Sequence, residues 1–377
     1  MNENKLFNMS GYNGVPSISV NRAVSILAAL YCNVINNNSG IRSIPSVMLW
    51  GPPGVGKSQA VRQIADKIAK NANKQVRITD VRLMLFNPID LRGIPTANEE
   101  KTLAVWLRPK IFDMDRSPDV VNILFLDEIS AAPQSVQAAA YQITLDRTVG
   151  EHKLPDNCIV IAAGNRVTDK SVTYRMPKAL ANRLLHLEIV TDNESWREWA
   201  AKNKINDKVI GFISFKPERL MCFDTSTDDI AFATPRSWEM VSKIMSAGGD
   251  NIEELFVLIS GLVGVGVAEE FRTWTKVYDK LPSIEGIFEG TVEVIPKGVD
   301  ALYALINAMT KYASDHRDDL DGIANSIAYA EKLPADFATV LMKEYIGIEE
   351  NYKSKLLGIP EFASWLRTKG TLLNGIR

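Results

Sequence analysis

The chain has little cysteine, almost no charge imbalance and no long apolar run, and each shortage removes a class of function. Cys32, Cys158 and Cys222 are its three cysteines. An odd number without CxxC spacing argues against a disulfide framework or a zinc cluster, and the thiols are expected to be reduced and buried or incidental. His152, His186 and His316 are too scattered to form an obvious metal site and are expected to be structural or solvated. Lysine and arginine number 43 against 45 aspartates and glutamates. That balance gives no general attraction to a polyanion, and no basic block or aromatic-studded basic tail supplies a local one. The start, MNENKLFNMS, lacks the basic and long apolar segments of a signal peptide, and no run approaches the ~18 apolar residues of a membrane span. A cytoplasmic protein without a membrane segment is the expectation.

What is present is enough for two or three independent cores. The chain has 377 residues, more than one hydrophobic core supports, and 46% of them are apolar, so no covalent staples are needed. Four continuous apolar runs in the first half, at 47–50, 120–127, 158–165 and 184–190, read as parallel strands covered on both faces. A fifth, at 75–81, is less clearly buried. Helical stretches such as SQAVRQIADKIAK and PQSVQAAAYQITLD alternate with them, the rhythm of a doubly wound α/β domain. Two insertions interrupt it and read as hairpins or loops, one turning around residues 97–99 and the other around Gly150. After Val190 helical patterns take over. Trp196, Trp199 and Ala200 fall on one helical face, a core pattern. Thr234 and Pro235 read as N-cap and first helical residue, leaving Arg236 in the exposed first turn. Gly261, Gly264 and Gly266 have neither a preceding strand nor a following Lys-Ser and read as a helix thinned for close packing.

The segment GPPGVGKS fits G-x-x-x-x-G-K-[ST] between a strand and a helix. Glycines permit positive φ and leave no Cβ in the way, so successive N–H groups can turn inward around a phosphate. Gly51, Pro52, Pro53, Gly54, Val55, Gly56, Lys57, Ser58 and Gln59 are the candidate nucleotide-binding residues. The helix that follows points its positive end at the anion, Lys57 can reach the β- and γ-phosphates of ATP, and the Ser58 hydroxyl suits Mg²⁺. The apolar run at 120–127 ends in Asp127 and Glu128: the first acid is suited to the Mg²⁺ shell, the second to orienting and deprotonating an attacking water. Asn165 ends the next strand and could hold the same water or the γ-phosphate. All three fall at the carboxyl edge of the sheet, where open α/β sheets bind ligands. Arg183, just before the last strand, and Arg236, in the helical half, are the candidate cations near the nucleotide.

In this order the motifs GPPGVGKS, ILFLDEIS, DRTVGEHKLP, AAGN, ALANR and TPRSW resemble the AAA+ ATPases, and among them the MoxR-like branch, over residues 20–290. The resemblance implies a five-stranded parallel sheet of order 5-1-4-3-2 over residues 1–190 and a helical lid over 191–290; residues 291–377 lie beyond it, and their helical composition supports only a lid extension or a partner-docking domain. Gly51 to Ser58 would be Walker A, Asp127 and Glu128 Walker B, Asn165 sensor 1, Arg183 the arginine finger and Arg236 sensor 2. It also implies a hexameric ring with ATP between subunits, a finger donated by the neighbour, a partner bearing a von Willebrand factor A domain, and a client protein that is remodelled or activated. Asn182-Arg183-Leu184 departs from the pattern of many relatives around the finger, and Arg175 is the alternative.

Two rivals belong to other classes. A DNA-directed motor or loader would use Arg92, Lys101, Arg108, Arg147 and Lys153 in the insertions, but Glu99, Glu100, Asp146 and Glu151 cancel most of that field, so nucleic acid is not the expected partner. A nucleotide-gated scaffold with little turnover is at odds with an intact Glu128 and Asn165.

Overall fold

The computed structural model describes residues 11–37, 39–169, 176–249, 251–349 and 351–370. They fall into two units, one comprising residues up to 195 with 223–228, the other 196–222 with 229 onward.

The first unit runs β1 (Ser17–Ser19), α1 (Val20–Asn36), β2 (Val47–Trp50), α2 (Lys57–Ala72), β3 (Gln75–Arg82), α3 (Pro88–Arg92), β4 (Ile94–Ala97), β5 (Ala104–Leu107), β6 (Val120–Asp127), α4 (Gln134–Asp146), β7 (Thr148–Val149), β8 (His152–Lys153), β9 (Cys158–Gly164), α5 (Lys178–Ala181) and β10 (Leu185–Val190). Its main sheet is parallel throughout, in the order β1-β10-β2-β9-β6-β3. The five strands read from the sequence keep the order 5-1-4-3-2. The sheet nevertheless has six strands rather than five, because Ser17, Ile18 and Ser19 pair with Glu188, Ile189 and Val190 on the outer edge of β10. Three residues are too few to show a period of two in sequence; pairing, and the burial of Ile18, make this strand.

Alternation along β2, β6 and β9 sorts the core into two layers. Val47, Leu49, Ile123, Phe125, Ile159 and Ile161 face α1 and α2, whereas Met48, Leu124, Leu126, Val160 and Ala162 face α4. On α2 the buried positions Ala60, Val61, Ile64, Ala65 and Ile68 recur at helical spacing, and Asn73 ends the helix in the left-handed region. Each large aliphatic side chain so buried contributes about 1.5–3 kcal/mol. β3 lies at the sheet's other edge, with mostly exposed side chains.

Both insertions form antiparallel hairpins, β4 with β5 and β7 with β8, and Gly150 turns the second at φ +56°. Arg147 is not a surface cation. It is buried, and its guanidinium donates to the carbonyls of Cys158 at 2.8 Å and Ile44 at 3.0 Å. Burial also pushes the Cys158 thiol up to about 11, making it an unreactive group.

The second unit is helical: α6 (Asn193–Lys202, which begins in the first unit), α7 (Asp207–Phe215), α8 (Pro235–Gly248), α9 (Ile252–Val263), α10 (Val265–Tyr278), α11 (Ile284–Phe288), α12 (Val299–Asp315), α13 (Leu320–Ala330), α14 (Ala335–Ile346), α15 (Tyr352–Leu356) and α16 (Pro360–Lys369). Trp196 and Ala200 are buried in a cluster with Phe212, Trp238 and Phe271, and Trp199 packs against it. Helix α12 joins this cluster through Ala304 and a second one through Leu302, Leu305, Ile306 and Met309. Thr234 caps α8 as expected, accepting from Ser237 N–H at 3.0 Å. The glycines at 261–266 do not thin a packed helix: Gly264, at φ +87°, breaks α9 from α10, and a Cβ on Gly261 or Gly266 would meet open space.

Candidate functional site

The phosphate loop hangs between a wholly buried strand, β2, and the first turn of α2. Gly51, Gly54 and Gly56 all have positive φ. At Gly51 a side chain is excluded twice over, since φ is +151° and a Cβ would lie 2.6 Å from the carbonyl oxygen of Ile189. Val55 is buried and anchors the loop's tip in the core.

Lys57 ties the loop to the neighbouring strand end. Its Nζ, in a side chain 9% exposed, donates to Gly51 O at 2.6 Å, Pro52 O at 3.0 Å and Asn165 Oδ1 at 2.9 Å. Ser58 Oγ donates to Asp127 Oδ2 at 3.1 Å. Three strand ends, at Trp50, Asp127 and Gly164, thus meet around one lysine and one serine.

The acidic strand end is shaped by its backbone. Glu128 is exposed and left-handed at φ +59°, a conformation that costs a non-glycine residue on the order of 1–2 kcal/mol. Its N–H folds back onto Asp127 Oδ1 at 2.9 Å, and its carbonyl accepts from Ala131 and Ala132. Beyond it the chain is pinned to β9: Ile129 N–H donates to Ala163 O at 2.9 Å, and Asn165 N–H donates to Ser130 Oγ at 2.9 Å. Gly164 leaves room for this, because a Cβ there would lie 2.7 Å from Ser130 Oγ and 2.9 Å from Met48 Cε.

Asp80, near the end of β3, is a third carboxylate at this edge. Burial, and then the charge of Asp127, raise its pKa. Among the described residues no three His, Cys, Asp or Glu side chains cluster closely enough to cage a metal by themselves, but the Ser58 hydroxyl bonded to Asp127 is a hard oxygen pair of the kind that holds Mg²⁺ together with phosphate and water, so the residues present fit that ion. The expectation for strand-end acids applies to Asp80 as well, and it was hidden by the weak burial signal of β3. Nothing in sequence marked Ser130, whose role depends on register.

Behind Asn165 lies an ionic cluster that sequence did not reveal. Arg166 donates to Asp169 at 2.9 Å and to Glu188 at 2.8 Å, and Glu188 also accepts from Tyr12 N–H at 3.0 Å and from Ser17 Oγ. Burial opposes the Glu188 charge, but these donors outweigh it and its pKa falls.

Arg183 is exposed, on the turn between α5 and β10, and makes no hydrogen bond or ion pair among the described residues. Arg236 belongs to the second unit and is exposed in the first turn of α8. Arg175 lies outside the described residues. The histidines are engaged with backbone: His152 with Trp106 O at 2.7 Å, His186 with Ala181 O at 2.7 Å and His316 with Tyr312 O at 3.0 Å. Among the described residues no helix is long and apolar enough to cross a membrane.

Against known proteins, the model of the family described as "ATPase family associated with various cellular activities (AAA)" matches residues 46–186. The chain is 28% identical over 150 residues to Chaperone MoxR1 of Mycobacterium tuberculosis, a match covering 39% of this chain and 36% of that protein. The chain therefore matches about a third of that relative's length. Among solved structures it is similar to C. elegans PCH-2, at TM-score 0.34 and 15% identity over 78% of this chain and 68% of that one. It is also similar to a Thermotoga maritima RuvB variant, at TM-score 0.34 and 15% identity over 77% and 84%. The matched segment spans the phosphate loop, the acidic strand end, Asn165 and Arg183, so over these residues the chain is similar to the AAA ATPases and to a MoxR chaperone.

Proposed function

We propose that the chain is a Mg-ATP-dependent ATPase working in an oligomeric ring, hexameric by family resemblance, whose hydrolysis drives remodelling or activation of a client protein. The observation that carries this reading is the convergence on Lys57 and Ser58: one strand end supplies the loop, another Asp127 with Glu128, and a third Asn165. Ser58 and Asp127 would hold Mg²⁺, which when bound neutralises phosphate charge and orients the β- and γ-oxygens. The loop amides and Lys57 bind the triphosphate, Glu128 accepts the proton of the attacking water, and Asn165 fixes that water or the γ-phosphate. Arg183 stabilises transition-state charge on a neighbour's nucleotide, a contribution worth about 10³- to 10⁵-fold. Arg236 reports nucleotide state from the lid formed by residues 191–290, residues 291–377 are a lid extension or a partner-docking domain, and the expected partner bears a von Willebrand factor A domain. The cytoplasm is the expected setting.

A protein client is favoured over DNA by the first insertion. Arg147 of the second insertion is buried and bonded to backbone, and of the first insertion's basic residues Arg108 is paired with Asp113. Its hairpin and α3 instead border a groove of about 460 Å³ lined by Leu85, Phe86, Ile89, Ile94, Leu107 and Pro109, and several of these are exposed.

The decisive test pairs Lys57→Ala, expected to abolish nucleotide binding, with Glu128→Gln, expected to bind ATP without cleaving it. Hydrolysis by Glu128→Gln at the parental rate would remove Glu128 as the base. Specific activity that stays constant on dilution through the assembly transition would contradict a finger supplied by a neighbour.

A further inference from the structure

Strand β10 has one face in the apolar layer beside Met48 and Trp50, yet it presents His186 and Glu188 there. Polar side chains in such a layer are costly unless bonded, and both are bonded to segments bearing candidate site residues. Glu188 holds Arg166, which follows Asn165. His186 sits between two elements of the site: Trp50, the residue immediately before the phosphate loop, and Ala181, two residues before Arg183.

The geometry fixes the imidazole completely. Trp50 Nε1–H donates to His186 Nδ1 at 2.9 Å, with the two rings edge to edge and their planes 19° apart. An indole nitrogen can only donate, so Nδ1 is the acceptor and Nε2 carries the hydrogen. Nε2–H then donates to Ala181 O at 2.7 Å. The same carbonyl accepts from Leu184 N–H at 3.2 Å, so the turn displaying Asn182 and Arg183 is closed by two bonds converging on one oxygen. Leu184 is buried, which holds the turn's far end. Arg183 has no bond of its own among the described residues, so its backbone carries its placement.

We infer that His186 is a positioning residue for Arg183, holding the finger's turn in a fixed relation to the strand that feeds the same chain's phosphate loop. A subunit's own loop is thereby tied mechanically, through Trp50, His186 and Ala181, to the arginine it offers to the next subunit. The inference rests on Arg183 being the cation that completes a neighbour's site.

Replacing His186 tests it in the full-length assembled protein. His186→Phe keeps a planar ring and loses both hydrogen bonds; kcat should fall on the order of 10- to 100-fold, as expected for a catalytic group displaced by about an ångström, while the ATP Kd holds within about two-fold. His186→Gln, whose amide nitrogen reaches towards the Nε2 position, should restore most of the rate. His186→Asn keeps only the acceptor for Trp50 and should not. In an Arg183→Ala background, His186→Phe should cost nothing further. A parental kcat in His186→Phe overturns the inference, as does a rate loss that persists undiminished without Arg183 or an ATP affinity falling in step with the rate. If His186→Phe fails to fold, the contrast between His186→Gln and His186→Asn decides alone. Should Arg183→Ala itself keep the parental rate, the finger assignment falls first; if Arg183→Ala is slow and His186→Phe is not, only the positioning role falls.

Discussion

The contact between Ser130 and Gly164 offers a test in which one atom decides two outcomes. Ser130→Ala removes the acceptor of the Asn165 N–H, a bond of 2.9 Å made by a side chain only 3% exposed, and should destabilise the chain by about 1–2 kcal/mol. Gly164→Ala sets a methyl group 2.7 Å from the same Oγ and 2.9 Å from Met48 Cε, overpacking that should cost about 1–3 kcal/mol. In the double variant the nearest obstacle is gone, and what remains is the end of a flexible side chain, Met48 Cε, with the Cβ of residue 130 at 3.1 Å. The pair should therefore cost less than the sum of the singles, by about 1 kcal/mol. Thermal unfolding of the full chain, where 1 kcal/mol corresponds to a Tm change of about 1 °C, measures the cycle. In the same proteins Ser130→Ala should lower kcat by about 10-fold with nucleotide affinity intact, because Asn165 loses its backbone anchor. Additivity within about 0.3 kcal/mol would refute the reasoning: Ser130 Oγ would then not be what keeps residue 164 a glycine.

Three further outcomes are expected. Glu188 has its pKa below the ordinary value of 4.5, so its contribution to stability is present above that value and lost as pH falls through the folded pKa. Glu188→Gln should cost about 1–3 kcal/mol at neutral pH and flatten the acid limb of a stability-against-pH curve; an unchanged limb counts against the cluster. Gly51→Ala should weaken binding of a fluorescent ATP analogue by about 10-fold or more, because the loop must move off Ile189 O, and a Kd within two-fold of the parent would contradict this. Thr234→Ala should lower stability by about 1–2 kcal/mol through loss of the α8 cap, with Thr234→Ser recovering most of it in chemical denaturation.

What could be read from the sequence was local or periodic. The runs 47–50, 120–127 and 158–165 announced themselves because both faces of β2, β6 and β9 are buried, and GPPGVGKS because its glycines meet a backbone requirement. Asp127, Glu128 and Asn165 followed from being the residues at which those runs stop. What stayed hidden depends on register between distant segments. β1 exists through its pairing with β10, Ser130 matters because Asn165 lies across from it, and His186 matters through Trp50, 136 residues earlier. Arg147 was misread for a related reason: within a charged hairpin sequence nothing shows that two carbonyls from elsewhere will receive its guanidinium.

The short strand β1 also governs how the polypeptide can safely be trimmed. With Ser17–Ser19 in place the outer rim of β10 is hydrogen-bonded and Glu188 has its hydroxyl and amide donors. A version beginning at Val20 would bare that rim and strip a nearly solvent-free carboxylate of two of its ligands. Such a molecule should stick to its own kind along the exposed rim, and anyone shortening this protein for crystallisation would do well to keep everything from Gly11 onward.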